Sequence, residues 1–424
     1  MSIPIPLRSL LGLALALAAP VAAETHALRA ARWLDVTTGD LHAPAVVVVE
    51  DGRIAALPEA PPEGVPVTDL GDVTLVPGLI DAHTHLTFDL DPGFVTRDVT
   101  DTAADLALRG ARNAARTLRA GFTTVRDVGS LGFADVSLAH AIEQGWVEGP
   151  RMFPVGHSIG ATGGHCDSTG YAPGILERGP EEGIADGVAE AVAAVRAQLK
   201  HGARAIKICA TAGVLSHEAS VGAQQLSHSE LAAIVEEAHR HGVRVAAHAH
   251  GTEGIRAAVE AGVDSIEHGS MIDLDTVRLM RERGTWLVPT TYLGDAIDLD
   301  LLPPPLRAKA EAIVPVAREH LAAAIAAGVP IALGTDAAVF PHGDTAKELA
   351  VLVRLGMTPL EAIRAATSNA ADLLGAADRG RLAVGQLADL VAVTGDPRQD
   401  VTTLERPLWV VLGGTVLAGK GNEE

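Results

Sequence analysis

Val76-Pro77-Gly78-Leu79-Ile80-Asp81-Ala82-His83-Thr84-His85-Leu86 is an apolar run that ends in two histidines one residue apart. In an extended chain, next-but-one side chains leave the same face. His83 and His85 therefore reach toward one point, as two ligands of one metal must. Pro77-Gly78 marks a turn ahead of the run, so the histidines fall near the C-terminal end of a strand. Alone, the pair is a weak signal, and two polar residues on a strand rim is the plainer reading. The ends of the other strands decide between the two.

Beyond this stretch, strand and helix patterns alternate. Strands are expected over 122–127, 151–159, 205–210, 243–248, 263–268, 285–290 and 330–334, about eight with the one ending at His83 and His85. Ala-rich helical patterns lie between them, as at 181–201, 229–241 and 306–327. Gly121, Gly202, Gly242, Gly262 and Gly328 each follow a helical pattern just ahead of a strand, the signature of a helix C-terminus. Repeated β-α units in this number predict an α/β chain built as a parallel (β/α)8 TIM barrel over 77–380, ahead of a doubly wound sheet. The two ends of the chain differ from this middle. Ala45–Glu50 and Arg53–Leu57 flank Asp51-Gly52, and Leu408–Leu412 and Thr415–Leu417 flank Gly413-Gly414, two hairpins. Residues 24–76 and 381–424 are expected to form one small composite β-sandwich domain.

The 424 residues are 48% apolar but only 3% aromatic, enough for a large aliphatic core. A formal charge of −20 argues against nucleic acid and against an anionic membrane surface. Arg8, the apolar stretch 10–19 and the small residues Val21-Ala22-Ala23 read as a signal peptide over 1–23. The mature chain then starts near Glu24 and is exported, to the periplasm or the medium, as a soluble protein. The two cysteines, Cys166 and Cys209, follow neighbouring strands; export permits a disulfide, and a pair of free thiols is the alternative.

In a barrel of this kind the chemistry sits at the C-terminal strand ends. Strand one offers His83 and His85 there, and strand three runs toward His165. Strand five ends at His248-Ala249-His250, strand six at Glu267-His268 and strand eight at Thr335-Asp336. Lys207 lies within strand four between Ile206 and Ile208. A buried, unpaired ammonium tends to lose its proton. A neutral amine can add carbon dioxide and become a carbamate, whose two oxygens can bridge two cations. Two metals about 3.5–4 Å apart polarise a carbonyl and activate water. Asp336 is placed to take a proton and pass it to a leaving amine.

These residues carry a resemblance. The stretch 76–85, with Lys207, His248, His268 and Asp336, resembles the ligand pattern of the amidohydrolase superfamily, over essentially the whole mature chain. Thr162-Gly163-Gly164-His165, Ile206-Lys207-Ile208, Ser265-Ile266-Glu267-His268-Gly269 and Pro341-His342-Gly343 are similar to its imidazolonepropionase-like branch. That branch holds Xaa-Pro and Xaa-Arg dipeptidases and ochratoxin-hydrolysing, carboxypeptidase-like amidohydrolases. The resemblance implies that His83, His85 and Asp336 bind one divalent metal and His248 and His268 a second. It implies that an N6-carboxylated Lys207 bridges them, that zinc is the usual occupant, and that the chain assembles as a homo-oligomer. His248 and His250 compete for the strand-five ligand; the spacing to His268 favours His248. His250 then lies over the substrate, where the dipeptidase relatives are expected to carry a tyrosine. His165 is the other expected substrate contact, and Tyr292, at the end of strand seven, is expected to line the substrate pocket.

His250-Gly251-Thr252-Glu253 also resembles the His-x-x-Glu of one-metal deaminases. Thr252 reads instead as a helix N-cap and Glu253 as a first-turn acid. The expectation is a binuclear amidohydrolase acting on N-acyl amino acids or dipeptides with a free carboxylate, with ochratoxin A as a specific candidate. A cyclic amidase opening an imidazolone-type ring is the alternative. A catalytically inactive periplasmic binding protein should have lost metal ligands, and all six are present.

Overall fold

The computed structural model describes residues 25–422, and the expected signal peptide lies outside them. β1 (Leu79–Thr84) pairs in parallel with β2 (Phe122–Asp127), and β2 with β3 (Arg151–Pro154). β4 (Ile206–Cys209), β5 (Val245–Ala249), β6 (Ser265–His268) and β7 (Trp286–Val288) form a second parallel run in that order. Isolated parallel bridges join the runs, Ile159 to Ile208, Leu287 to Ile331 and Thr84 to Ala337. Hydrogen bonds therefore pass from each extended segment to the next around a TIM-barrel frame.

The eighth segment, expected as a strand over 330–334, forms only bridges. Ala332 N donates to Leu287 O (3.1 Å) and Ala82 N to Leu333 O (2.9 Å). Two features spoil its regularity. Gly334 runs so close to β1 that a Cβ there would lie 2.7 Å from His83 Cβ. Asp336 then turns the chain with φ of 59°.

Alternation along these strands decides what faces where. Ile206, Ile208, Ile266 and Leu287 point outward and pack with Leu231 and Ile234 of the helix His228–Arg240 in the main core. Lys207, His248 and Glu267 occupy the intervening positions and point into the barrel. Helix ends follow local chemistry: Thr102 with Asp105 and Ser227 with Glu230 make capping boxes, and Gly262 and Gly284 close helices in the left-handed conformation. The helix expected over 181–201 starts later, at Val188, because left-handed Gly183 and Gly187 interrupt it. Thr252 corrects the sequence reading. It is the first helical residue rather than the N-cap, which falls to Gly251, and its hydroxyl donates to Met271 O (2.5 Å). Glu253 sits in the first turn as expected.

Strands from the two ends of the chain build two further sheets. One holds Arg53–Ala56, Ala45–Glu50, His26–Ala30 and Val67–Asp69 in that order. The other runs Thr415–Ala418, Trp409–Leu412, Leu390–Val393, Thr74–Pro77, Arg32–Leu34, Leu41–His42. Leu28, Val47 and Ile54 of the first face Leu75, Leu390 and Val411 of the second in one apolar layer. The strand Thr74–Pro77 leads straight into β1, and Gly78 N donates to Asp389 O (2.8 Å) at the junction. Among the described residues no helix is long and apolar enough to cross a membrane.

Candidate active site

β1 ends with the His83 ring buried and the His85 ring partly exposed, and both Nε2 atoms lie 3.4 Å from Asp336 Oδ1. Each ring is held through its other nitrogen. His83 Nδ1 lies 2.7 Å from Glu267 Oε2, and His85 Nδ1 lies 3.0 Å from Gly129 O. A hydrogen bond donated at Nδ1 fixes the tautomer and leaves Nε2 as a free donor for a cation. His268 follows the same pattern, with Nδ1 2.8 Å from Thr290 Oγ1. His268, Thr290 and Asp336 all have positive φ, at 68°, 50° and 59°. Three strained non-glycine residues at neighbouring strand ends mark a place where the surrounding structure enforces an unfavourable backbone.

β5 brings His248 and His250 to the same rim. The His268 ring lies 4.7 Å from that of His248 and 4.9 Å from that of His250. His165 stacks on His248 at 4.0 Å. His250 Nδ1 is 2.7 Å from Ser270 Oγ. Burial among other imidazoles keeps these rings neutral: it lowers His85 and His165 to about 4 and His250 to about 3, and holds His248 and His268 well below the ordinary histidine value. Burial alone would raise the Asp336 carboxyl, but His83 and His85 beside it hold it well below the usual range.

Neutral imidazoles around an ionised carboxylate are a donor set for a divalent cation. The ligand atoms of His83, His268 and Asp336 lie within 4.8 Å of one another, and so do those of His248, His250 and His268. His83 Nε2 and His248 Nε2 are buried with no hydrogen-bond partner. Buried polar atoms are rarely left so, and a cation fits them. Both His248 and His250 stand within reach of the second position. Lys207 is 4% exposed, and burial above all brings its amine down to about 8. Among the described residues no carboxylate lies within ion-pair distance of it, although the Glu267 and Asp336 carboxylates nearby partly offset the effect of burial.

Above these groups opens a cavity of about 490 Å³. His165, His250, Lys207 and Asp336 line it, and so do Phe88, Phe94, Leu215, Leu306 and Val314. Tyr292 packs elsewhere. Its ring meets Phe340 edge-on at 4.9 Å, and its neighbours Thr291 and Leu293 form the wall. Cys166 and Cys209 are joined in a disulfide, Cα to Cα 5.8 Å, that ties the loop carrying His165 to β4 beside Lys207. His217 lines the cavity, and His342 is buried with Nε2 3.2 Å from Phe88 O.

The support beneath the candidate ligands has little trace in the sequence. Glu267 takes three bonds, from His83, from Arg126 Nη2 (2.8 Å) and from Ser265 Oγ (2.5 Å). Arg126 is fully buried and also donates to Ala82 O (2.6 Å). An arginine inside the apolar pattern Phe122–Asp127 is the available signal, since such a charge needs a partner. Arg178, on the cavity wall, carries no signal in its irregular loop.

The chain matches the amidohydrolase family model over residues 74–420. It is 39% identical over 374 residues to the ochratoxinase of Aspergillus niger, covering 82% of this chain and 76% of that one. The crystal structure of that enzyme superposes with a TM-score of 0.80 and 33% identity, over 94% of this chain and 97% of the other. A Xaa-Pro dipeptidase crystallised with methionine in its active site superposes with a TM-score of 0.89 and 36% identity, over 93% and 100% of the two chains. An imidazolonepropionase of Deinococcus radiodurans is 28% identical over 415 residues, 90% of this chain and 92% of that one.

Proposed function

The chain belongs to the amidohydrolase family and is a hydrolase of amide bonds, and from that premise we propose that it cleaves N-acyl amino acids or dipeptides with a free carboxylate, using two divalent cations. Zinc is the first choice for both. The observation that carries the reading is the pair of overlapping donor groups that share His268, with the orphaned Nε2 atoms of His83 and His248 pointing into them. His83, His85 and Asp336 would hold one ion and His248 and His268 the other. Lys207, lowered to about 8 by burial, keeps a fraction of neutral amine whose lone pair can add carbon dioxide, with one amine proton released to solvent. The resulting carbamate would bridge the two positions.

Divalent cations there supply Lewis acidity toward an amide carbonyl and lower the pKa of water. The protein's own residues supply the rest. Asp336 takes a proton from the attacking water on its carboxylate and delivers it to the leaving amine nitrogen. His165 and His250, neutral and facing the cavity, donate hydrogen bonds to the oxygens of the substrate. The apolar wall from Phe88, Leu306 and Val314 receives a bulky acyl group or side chain. A cavity of about 490 Å³ exceeds what a small dipeptide needs. Together with the Aspergillus relative, it makes ochratoxin A a specific candidate, split into phenylalanine and the isocoumarin acid. The leader-like N-terminus supports export to the periplasm or the medium.

The similarity to an imidazolonepropionase favours one second reading, ring opening of a cyclic amide. One experiment tests both. Metal is counted on the purified chain, and amine release is followed over N-acyl amino acids, dipeptides, ochratoxin A and cyclic amides. About two metals per chain with turnover of open-chain carboxylates is the expected result. Turnover of cyclic amides alone replaces the first reading with the second. A folded chain binding one metal or none refutes the two-ion centre.

A further inference from the structure

Among the described residues the cavity wall holds three arginines, Arg97, Arg178 and Arg318. Two are already committed to the protein. Arg97 donates to Asp89 O and to the Asp91 carboxylate, and lies 3.7 Å from Asp101 Oδ2. Arg318 donates to Gly294 O and to the Asp295 carboxylate. Lys309, on the same side of the barrel, spends its three donors on Gly213 O, Ser216 O and Glu218 O.

Arg178 differs. Its side chain is 9% exposed, yet among the described residues its guanidinium makes one hydrogen bond, a long one of 3.4 Å from Nη2 to Asp98 Oδ2. Asp98 is shared, since it also accepts from Ser168 Oγ. A guanidinium carries five N–H donors in a planar fork that matches a carboxylate. A nearly buried arginine with most of that fork unspent, on the wall of a cavity, is prepared for an anion that enters from outside. The loop that carries it is also tied down. Tyr171 OH donates to Val95 O (2.9 Å), so the loop carrying Arg178 is pinned to the segment that carries Asp98. The imidazoles of His165 and His250 offer one N–H each and no planar fork.

We propose that Arg178 is the specificity-determining residue that receives the free carboxylate of the substrate. The site thereby prefers amides of amino acids carrying an ionised carboxyl over the same amides with that carboxyl blocked. The proposal rests on the substrate class given under the proposed function, and its test separates the two.

The test uses the metal-loaded enzyme with N-benzoyl-L-phenylalanine and N-benzoyl-L-phenylalaninamide, both followed by benzoate release. The wild type is expected to favour the carboxylate by about tenfold or more in kcat/KM, mostly through KM, as a charge-assisted bond implies. Arg178→Met should bring that ratio to within about threefold of one, and Arg178→Lys, which keeps the charge but loses the fork, should fall between. A ratio in Arg178→Met equal to that of the wild type overturns the assignment. If the wild type releases benzoate from neither compound, the functional reading fails, and calorimetric binding of N-benzoyl-L-phenylalanine decides the fate of Arg178. An affinity loss of about tenfold or more in Arg178→Met, with near-ultraviolet circular dichroism intact, then supports the carboxylate subsite. Equal affinity in the two proteins overturns it.

Discussion

Replacing Glu267 with glutamine keeps its volume and removes its charge, and the surrounding hydrogen bonds determine the outcome. The carboxylate accepts from His83 Nδ1 (2.7 Å), Arg126 Nη2 (2.8 Å) and Ser265 Oγ (2.5 Å), with no exposure to water. A glutamine presents one oxygen and one NH2 group to three donors, so one face of the amide must turn away from a partner. If the oxygen serves Arg126 and Ser265, the NH2 group meets His83 Nδ1. That ring can then only accept at Nδ1, and its proton moves to Nε2, the atom 3.4 Å from Asp336 that should be free for a cation. Losing such an outer partner costs about 10–100-fold in metal affinity. The same substitution leaves the fully buried Arg126 without its counter-charge, which costs about 3–5 kcal/mol of stability. Chelator competition reads the first number and urea unfolding of the metal-free protein reads the second. The double variant Arg126→Met with Glu267→Gln should regain most of the stability and none of the metal affinity, because only the arginine problem is removed. A Glu267→Gln protein within about 0.5 kcal/mol of wild type and with unchanged metal affinity would refute the reasoning.

Asp336→Asn should lower kcat by about 10²–10⁴-fold while most of the metal stays bound, checked by kinetics beside metal analysis; near-normal turnover would remove the proton-transfer role. Asp135 is raised to about 7, chiefly by burial; Oδ2 accepts from Gly156 N (2.8 Å), while Oδ1 is buried without a partner. A carboxyl raised on folding binds more protons in the native state, so its contribution is present at pH 4 and lost as pH rises toward 7. Asp135→Asn should therefore flatten the unfolding free energy over that window and stabilise the protein at pH 8 by on the order of 2–4 kcal/mol. An unchanged pH profile would show that this carboxyl does not govern it. Reducing Cys166–Cys209, which are 43 residues apart in sequence, should cost up to about 4 kcal/mol in urea unfolding. A shift below about 1 kcal/mol would mean that packing alone holds the His165 loop.

The residues that can be read from sequence are those whose role rests on strand position alone. His83, His85, His248, His268 and Asp336 stand at the ends of apolar segments, and period-two alternation is enough to turn His83 and His85 one way. Lys207 is legible because a lysine between two isoleucines contradicts its surroundings. Which side chain pairs with which is not legible. Arg126 and Glu267 are 141 residues apart, and only ring closure brings β2 and β6 to a common interior. Tyr292 stands at the right place in the chain, but the direction of a side chain in a loop depends on its packing, here against Phe340. The eighth strand is expected as regular, but its segment forms only isolated bridges and ends in the positive-φ turn at Asp336. The N-cap expected at Thr252 falls one position earlier, at Gly251, a shift that local pattern does not resolve.

The strand Thr74–Pro77 sits between Leu390–Val393 and Arg32–Leu34, and it runs through Gly78 into β1 itself. Arg151 at the start of β3 grips Asp389 through two bonds of 2.8 and 3.1 Å, while the Asp389 backbone carbonyl holds Gly78. Without the strand Leu390–Val393, Thr74–Pro77 would be an open strand edge, and the histidines a few residues on would hang from a segment with half its neighbours missing. A product truncated ahead of that strand would leave His83 and His85 on a strand lacking one of its two flanking partners, so the candidate site depends on the far end of the chain as much as on its own loops.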